Sequence, residues 1–128
     1  MKKLIFIVEK TSTGYSAYAA DDNLPVGTTG ENMTALKQNV VDAVNTYREH
    51  AGLKPVTEDN IIIQLDIKQF FEYYKVINAK ALAERIGMSQ SLLSQYANGI
   101  KAPSERQANK IVEGIKELGR ELVKLELV

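Results

Sequence analysis

A chain of 128 residues and 14.2 kDa holds one ordinary domain or two very small ones. Its composition, 45% hydrophobic and 25% charged, excludes disorder, collagen-like repetition and low complexity as readings of the whole chain. Sixteen Lys+Arg balance sixteen Asp+Glu, and the absence of cysteine beside a single histidine, His50, removes disulfides, thiolate metal sites and histidine clusters.

Met1-Lys2-Lys3 precedes an apolar run, Leu4–Val8, that stops at Glu9. Five residues are too few for an export signal or a membrane span, so the expected setting is the cytoplasm, with no membrane partner. The run is followed by Tyr15–Ala20, which alternates in part, and Thr11-Ser12-Thr13-Gly14 between them has the turn chemistry of a β-hairpin. Asn23-Leu24-Pro25 and Gly27-Thr28-Thr29-Gly30 read as loop or as a short third strand. From Met33 the period lengthens. Met33, Leu36, Val40, Ala43, Val44 and Tyr47 form one apolar stripe of a helix, with Asn32 as its N-cap and Gly52 at its stop. After Leu53-Lys54-Pro55, Ile61–Ile67 is dense in β-branched residues and predicts a strand. The expected fold class is α+β: a small β-β-(β)-α-β domain over residues 1–67, then an all-α domain over residues 68–128.

The balanced total hides a division. Residues 1–66 hold six basic and nine acidic side chains, whereas residues 67–128 hold ten and seven. Between Lys75 and Lys110 the basic residues Lys75, Lys80, Arg85, Lys101, Arg106 and Lys110 face only Glu84 and Glu105. Such a split predicts different partners for the two halves.

Residues 79–99 have the pattern of a helix-turn-helix. Two helices crossing at a tight turn need a small residue at their contact, which Ala83 supplies, and a residue tolerant of positive φ at the turn, which is Gly87. Leu82, Ile86, Met88, Leu93 and Tyr96 fall at the inward positions, and Ser89 offers an N-cap to the second helix. The outward face carries Gln90, Ser91, Ser94, Gln95 and Asn98, with no carboxylate to repel phosphate. Glutamine can bridge N6 and N7 of adenine in the major groove, and serine can serve several bases, so Gln90, Ser91, Ser94 and Gln95 are the base-reading candidates.

Residues 68–112, and above all Gly87-Met88-Ser89-Gln90-Ser91 followed by Asn98-Gly99-Ile100, resemble the lambda-repressor-like, XRE-type helix-turn-helix family. The resemblance implies that Gln90, Ser91 and Gln95 face bases while Asn98 and the loop after it hold phosphate, with Ser89, Lys101 and Arg106 as further phosphate candidates. With the N-terminal half added, a β-hairpin and Gly27-Thr28-Thr29-Gly30-Glu31 leading into an Ala/Leu/Val helix, the whole chain resembles the HicB antitoxins. Ala20–Gly27 matches the Pro-Asp-x-Pro-Gly-like loop of that family only loosely. What the resemblance implies is a partial RNase-H-like domain that covers a small, basic, mRNA-cleaving HicA toxin, and a C-terminal domain that represses its own operon on double-stranded operator DNA. A second reading is a stand-alone dimeric regulator whose N-terminal domain senses a small molecule or dimerises.

Asp21-Asp22, with Glu9, Glu31 or Asp66, is the one cluster that suggests a divalent metal. Adjacent carboxylates in a loop are more often solvated turn residues, and no nucleophile, base and oxyanion donors assemble, so neither metal, cofactor nor catalysis is expected. His50 suits a helix end. Tyr73, Tyr74, Phe70 and Phe71 read as core of the first C-terminal helix. Ile111, Ile115, Leu118, Leu122 and Leu125 are spaced as a heptad seam and are the dimer candidates, for a homodimer or a higher oligomer. Gly114 and Gly119 each disfavour a helix interior by about 1 kcal/mol, and residues 122–128 read either as helix or as an extended segment.

Overall fold

The computed structural model describes residues 2–127, and the chain divides after Asp66 into two compact units. The first is a four-stranded sheet under one helix, and the α+β class expected from the pattern is the one found. Strands β1 (Leu4–Thr11), β2 (Gly14–Ala19), β3 (Gly27–Gly30) and β4 (Ile61–Leu65) lie in the order β3-β2-β1-β4. Ser12 and Thr13 make the two-residue turn of the β1–β2 hairpin, whose last pair is Thr11 with Gly14. β2 pairs antiparallel with β3, so the Gly/Thr stretch is a true third strand. β4 runs parallel to β1, with Leu4 opposite Ile61 and Val8 opposite Leu65.

Parallel neighbours need a long crossover, and helix α1 (Met33–His50) provides it. The Asn32 side chain accepts from the Ala35 N–H at 2.8 Å and starts the helix. Leu36, Val40 and Val44 are fully buried on its apolar stripe, against Phe6 and Val8 of β1 and Ala17 of β2. Beyond the helix, the Leu53 N–H reaches the Arg48 carbonyl at 2.8 Å and the Gly52 N–H the Glu49 carbonyl at 3.1 Å, the paired closure of a Schellman end. Asn45 then holds the descending loop from both sides. Its amide donates to the Val56 carbonyl at 3.0 Å and its oxygen accepts the Val56 N–H at 2.7 Å, which seats Val56 in the core.

One expectation changes. The strand expected over 61–67 stops at Leu65, because the last ladder bond is Asp66 N–H to Val8 carbonyl at 2.8 Å and Ile67 is already the buried first residue of the next helix. Asp21 serves a turn: its side chain accepts the Asn23 N–H at 2.9 Å and its carbonyl the Leu24 N–H at 3.0 Å. His50 is exposed in the last turn of α1.

One face of the sheet packs on α1. The other carries Ile5, Ile7, Tyr18 and Ile62 beside Glu9, and Ile5 and Tyr18 are exposed. The Tyr18 phenol is held above its ordinary pKa, first by partial burial and then by the negative charges of Glu9 and Asp66.

β3 can lie close to α1 only because Gly30 has no side chain. A Cβ there would stand 2.5 Å from the Leu36 backbone nitrogen and 2.6 Å from its Cα. Backbone does not yield as a side-chain tip does. Gly30→Ala is therefore expected to lower stability by about 1–3 kcal/mol, read as a lower denaturant midpoint of the full chain with an unchanged slope.

Candidate nucleic-acid interface

The second unit is all helical: α2 (Ile67–Tyr73), α3 (Ala79–Ile86), α4 (Gln90–Ala97) and α5 (Glu105–Val123). The last three each begin on a side-chain cap. Asn78, Ser89 and Ser104 accept from the N–H three residues on, Ala81, Leu92 and Gln107, at 3.1, 3.3 and 3.2 Å. Ser89 was legible as a cap, whereas Asn78 and Ser104 were missed although each is an Asn or Ser directly before a helical stretch.

Gly87 and Gly99 end α3 and α4 in the same manner. Both hold positive φ, +70° and +74°. Met88 N–H bonds Ala83 carbonyl at 2.9 Å and Gly87 N–H bonds Glu84 carbonyl at 3.3 Å; Ile100 N–H bonds Gln95 carbonyl at 2.9 Å and Gly99 N–H bonds Tyr96 carbonyl at 3.2 Å. These are the two reciprocal bonds of a Schellman closure, which turn the chain sharply without orphaning the helix-end carbonyls.

Leu82, Ala83, Met88, Leu93, Tyr96 and Ile111 are buried together in this unit. Ile86, expected inward, is half-buried and lies at the crossing of α3 with α5. Gly114 is that crossing: a Cβ built on it would stand 2.2 Å from Ile86 Cγ2. The helix-breaking residue is thus the contact itself, and α5 runs unbroken past both Gly114 and Gly119. Among the four aromatics assigned to the first helix, Phe70 alone is buried; Phe71 and Tyr74 are half-buried and Tyr73 is exposed, in a chain of ring contacts 4.8–5.5 Å apart.

The heptad seam does not survive as drawn. Ile111 is fully buried within its own unit, so it cannot face a second copy, and Leu125 lies beyond the end of α5. Ile115 and Leu118 are half-buried, and Leu122 is exposed.

On α4 the structure brings Gln90, Ser91 and Ser94 to one exposed face, continued by half-buried Gln95 and exposed Asn98. Leu93 and Tyr96 anchor the opposite side. The cap engages the Ser89 oxygen. The Asn98 amide turns back onto α4, donating to the Ser94 carbonyl at 2.9 Å and the Ser94 hydroxyl at 3.2 Å, so both of its donors are occupied in the free protein. Lys101 and Arg106 are exposed on and just after the loop following α4. Ile100, beside them, is 76% exposed and was not singled out by sequence.

The basic window is partly internal. Arg85 pairs with Glu117 at 3.8 Å and also with Glu121, tying α3 to α5, and Lys110 reaches the Gly87 carbonyl at 3.5 Å. No local pattern announces the Arg85 pairs, since both partners sit on a different helix. Lys101 and Arg106 remain as the cations next to the reading face.

Among the described residues no helix is long and apolar enough to cross a membrane. Residues 77–118, α3 through most of α5, match the family described as Helix-turn-helix (HTH_3). A domain of this XRE-like type supports a sequence-specific DNA-binding transcription regulator. No curated protein matches the chain.

If Arg85 is internal, Arg85→Ala should lower stability by less than about 1 kcal/mol, an effect that shrinks with added salt. The slope of log affinity for DNA against log salt should stay unchanged; a slope reduced by about one would make Arg85 a phosphate contact instead.

Proposed function

We propose that the chain is the antitoxin of a HicA/HicB-like toxin–antitoxin pair, a non-enzymatic cytoplasmic protein that represses its own operon and masks a small ribonuclease toxin. The observation that carries the DNA half is the exposed face of α4, where Gln90, Ser91, Ser94 and Gln95 stand together without a carboxylate. Amide and hydroxyl side chains of this reach match the donor and acceptor pattern of base edges in the major groove. Lys101 and Arg106 supply the phosphate contacts that fix register. The Asn98 amide joins them once phosphate competes it away from Ser94.

The toxin half rests on the order of elements, β-β-β-α-β before the helix-turn-helix, and on charge. The N-terminal unit holds nine acidic against six basic residues. Its sheet face away from α1 sets Glu9 beside apolar Ile5, Ile7 and Ile62. An acidic, part-apolar surface suits a basic RNA-binding partner by charge complementarity and exclusion of water.

Gln90→Ala should lose about 1–3 kcal/mol on the specific operator and little on random DNA, and Lys101→Ala should weaken all DNA alike with a salt slope smaller by about one. Equal weakening of both DNAs by Gln90→Ala removes it from base reading. For the toxin half, the tagged full chain recovered from its native cells should carry a small basic protein at fixed ratio. Recovery alone, while the neighbouring gene is expressed, favours a stand-alone regulator.

A further inference from the structure

We propose that two copies of the chain pair through Val123–Leu127, as an antiparallel two-stranded ribbon centred on Leu125. The chain's own fold leaves these side chains in water: Leu122, Val123, Leu125 and Leu127 are 59, 86, 77 and 102% exposed. Large apolar residues crowded at that level of exposure mark a contact surface. The five residues read Val-Lys-Leu-Glu-Leu, strict apolar and charged alternation, which is the period of a strand with one apolar face.

The segment is complementary to itself. A two-fold axis through Leu125 sets Leu125 against its copy, Val123 against Leu127, and each Lys124 against a Glu126. Apolar pairs then share one face and two opposite-charge pairs the other, the favourable cross-strand arrangement. Neighbouring registers fail. An axis through Glu126 faces two carboxylates, one through Lys124 faces two ammonium groups, and a half-step shift opposes charged to apolar residues.

Pairing asks little of the single chain. The Lys124 and Leu125 N–H groups give up their bonds to the Glu121 and Leu122 carbonyls, both 3.1 Å, and in the ribbon one of the two faces the partner strand while the other faces water. Val123 leaves the end of α5, where it has almost no packing to lose. A short ribbon is marginal in water by itself. Leu118 and Leu122, one turn apart on α5, extend the apolar contact.

The purpose of the pair rests on the DNA-binding reading, in which two domains read half-sites about 34 Å apart; its existence does not. Because the chain has no cysteine, Leu125→Cys and Lys124→Cys each introduce a lone thiol. Directly opposed residues of antiparallel strands have Cα atoms about 4.5–5.5 Å apart, within disulfide reach. Leu125→Cys should oxidise to a covalent dimer, and Lys124→Cys, which faces Glu126, should not. By sedimentation equilibrium, full-length Lys124→Glu and Glu126→Lys should each dimerise about tenfold more weakly or worse. An equimolar mixture of the two should recover the wild-type dimer, since every cross-strand pair is again of opposite sign. A monomeric wild type, a dimer indifferent to both reversals, or faster cross-linking at 124 than at 125 overturns the ribbon. A Leu125→Asp monomer that still binds a half-site is the expected result. A dimer that binds no DNA would overturn the DNA reading and leave the ribbon standing.

Discussion

The close approach of α5 to α3 at Gly114 is the contact on which the placing of α4 depends. With only a hydrogen at that position, Ile86 settles directly onto the α5 backbone, and Leu82 and Ala83 of α3 are buried in the same unit. Arg85, the neighbour of Ile86, reaches Glu117 and Glu121 one and two turns further along α5. The apolar contact, without side-chain play, fixes the separation of the two helices, and the exposed ion pairs add little to it. From the end of α3 the chain has Gly87, Met88 and Ser89 before α4 begins, and each is committed: Gly87 to positive φ, Met88 to the core, Ser89 to the cap. The direction in which Gln90 and its neighbours point therefore depends on how α3 seats on α5.

The same economy governs charge. A count of basic residues from Lys75 to Lys110 promises a strongly positive surface, yet Arg85 faces glutamates and Lys110 leans on a carbonyl. Lys75, Lys80, Lys101 and Arg106 stay exposed, the last two at the loop after α4 and the start of α5. In the N-terminal unit the opposite sign gathers near Tyr18, whose phenol feels Glu9 and Asp66. The near-zero total charge is thus the sum of two local fields that differ in sign, and each unit presents its own to solution.

Much of this was legible from the residues, and the reasons differ by element. Period decided α1, whose stripe Leu36, Val40 and Val44 is the buried face, and turn chemistry decided the hairpin at Ser12-Thr13. The helix-turn-helix was legible because several requirements coincide in few residues: a small contact, a left-handed turn, a cap and five inward apolar positions. What escaped is non-local. Gly114 counts against a helix by propensity and is indispensable once Ile86 is placed above it. Ile111 belongs equally to a heptad and to a core, and only packing separates the two. At the junction of the units, Ile67 carries β propensity into a helix, because the ladder's last partner, Val8, has already been used by Asp66. Arg85 shows the same limit in electrostatics, since a guanidinium in sequence has no address until a second helix lies beside it.

The position of β1 in the sheet has a consequence for the order in which the protein can be made. β1 leaves the ribosome before β2, β3, α1 and β4, and it is a central strand flanked by β2 and β4. β2 follows within a few residues, so the hairpin can form early. The other edge of β1 waits for β4, which is translated only after the loop, β3 and all of α1. For that interval the nascent chain carries an open strand edge beside Ile5 and Ile7, the kind of template that recruits stray strands. Closing it joins segments far apart in sequence, a slow event by contact-order reasoning. Until residues 61–65 emerge that edge has no partner within the unit, and the helical unit begins to be translated only as its predecessor first becomes able to close.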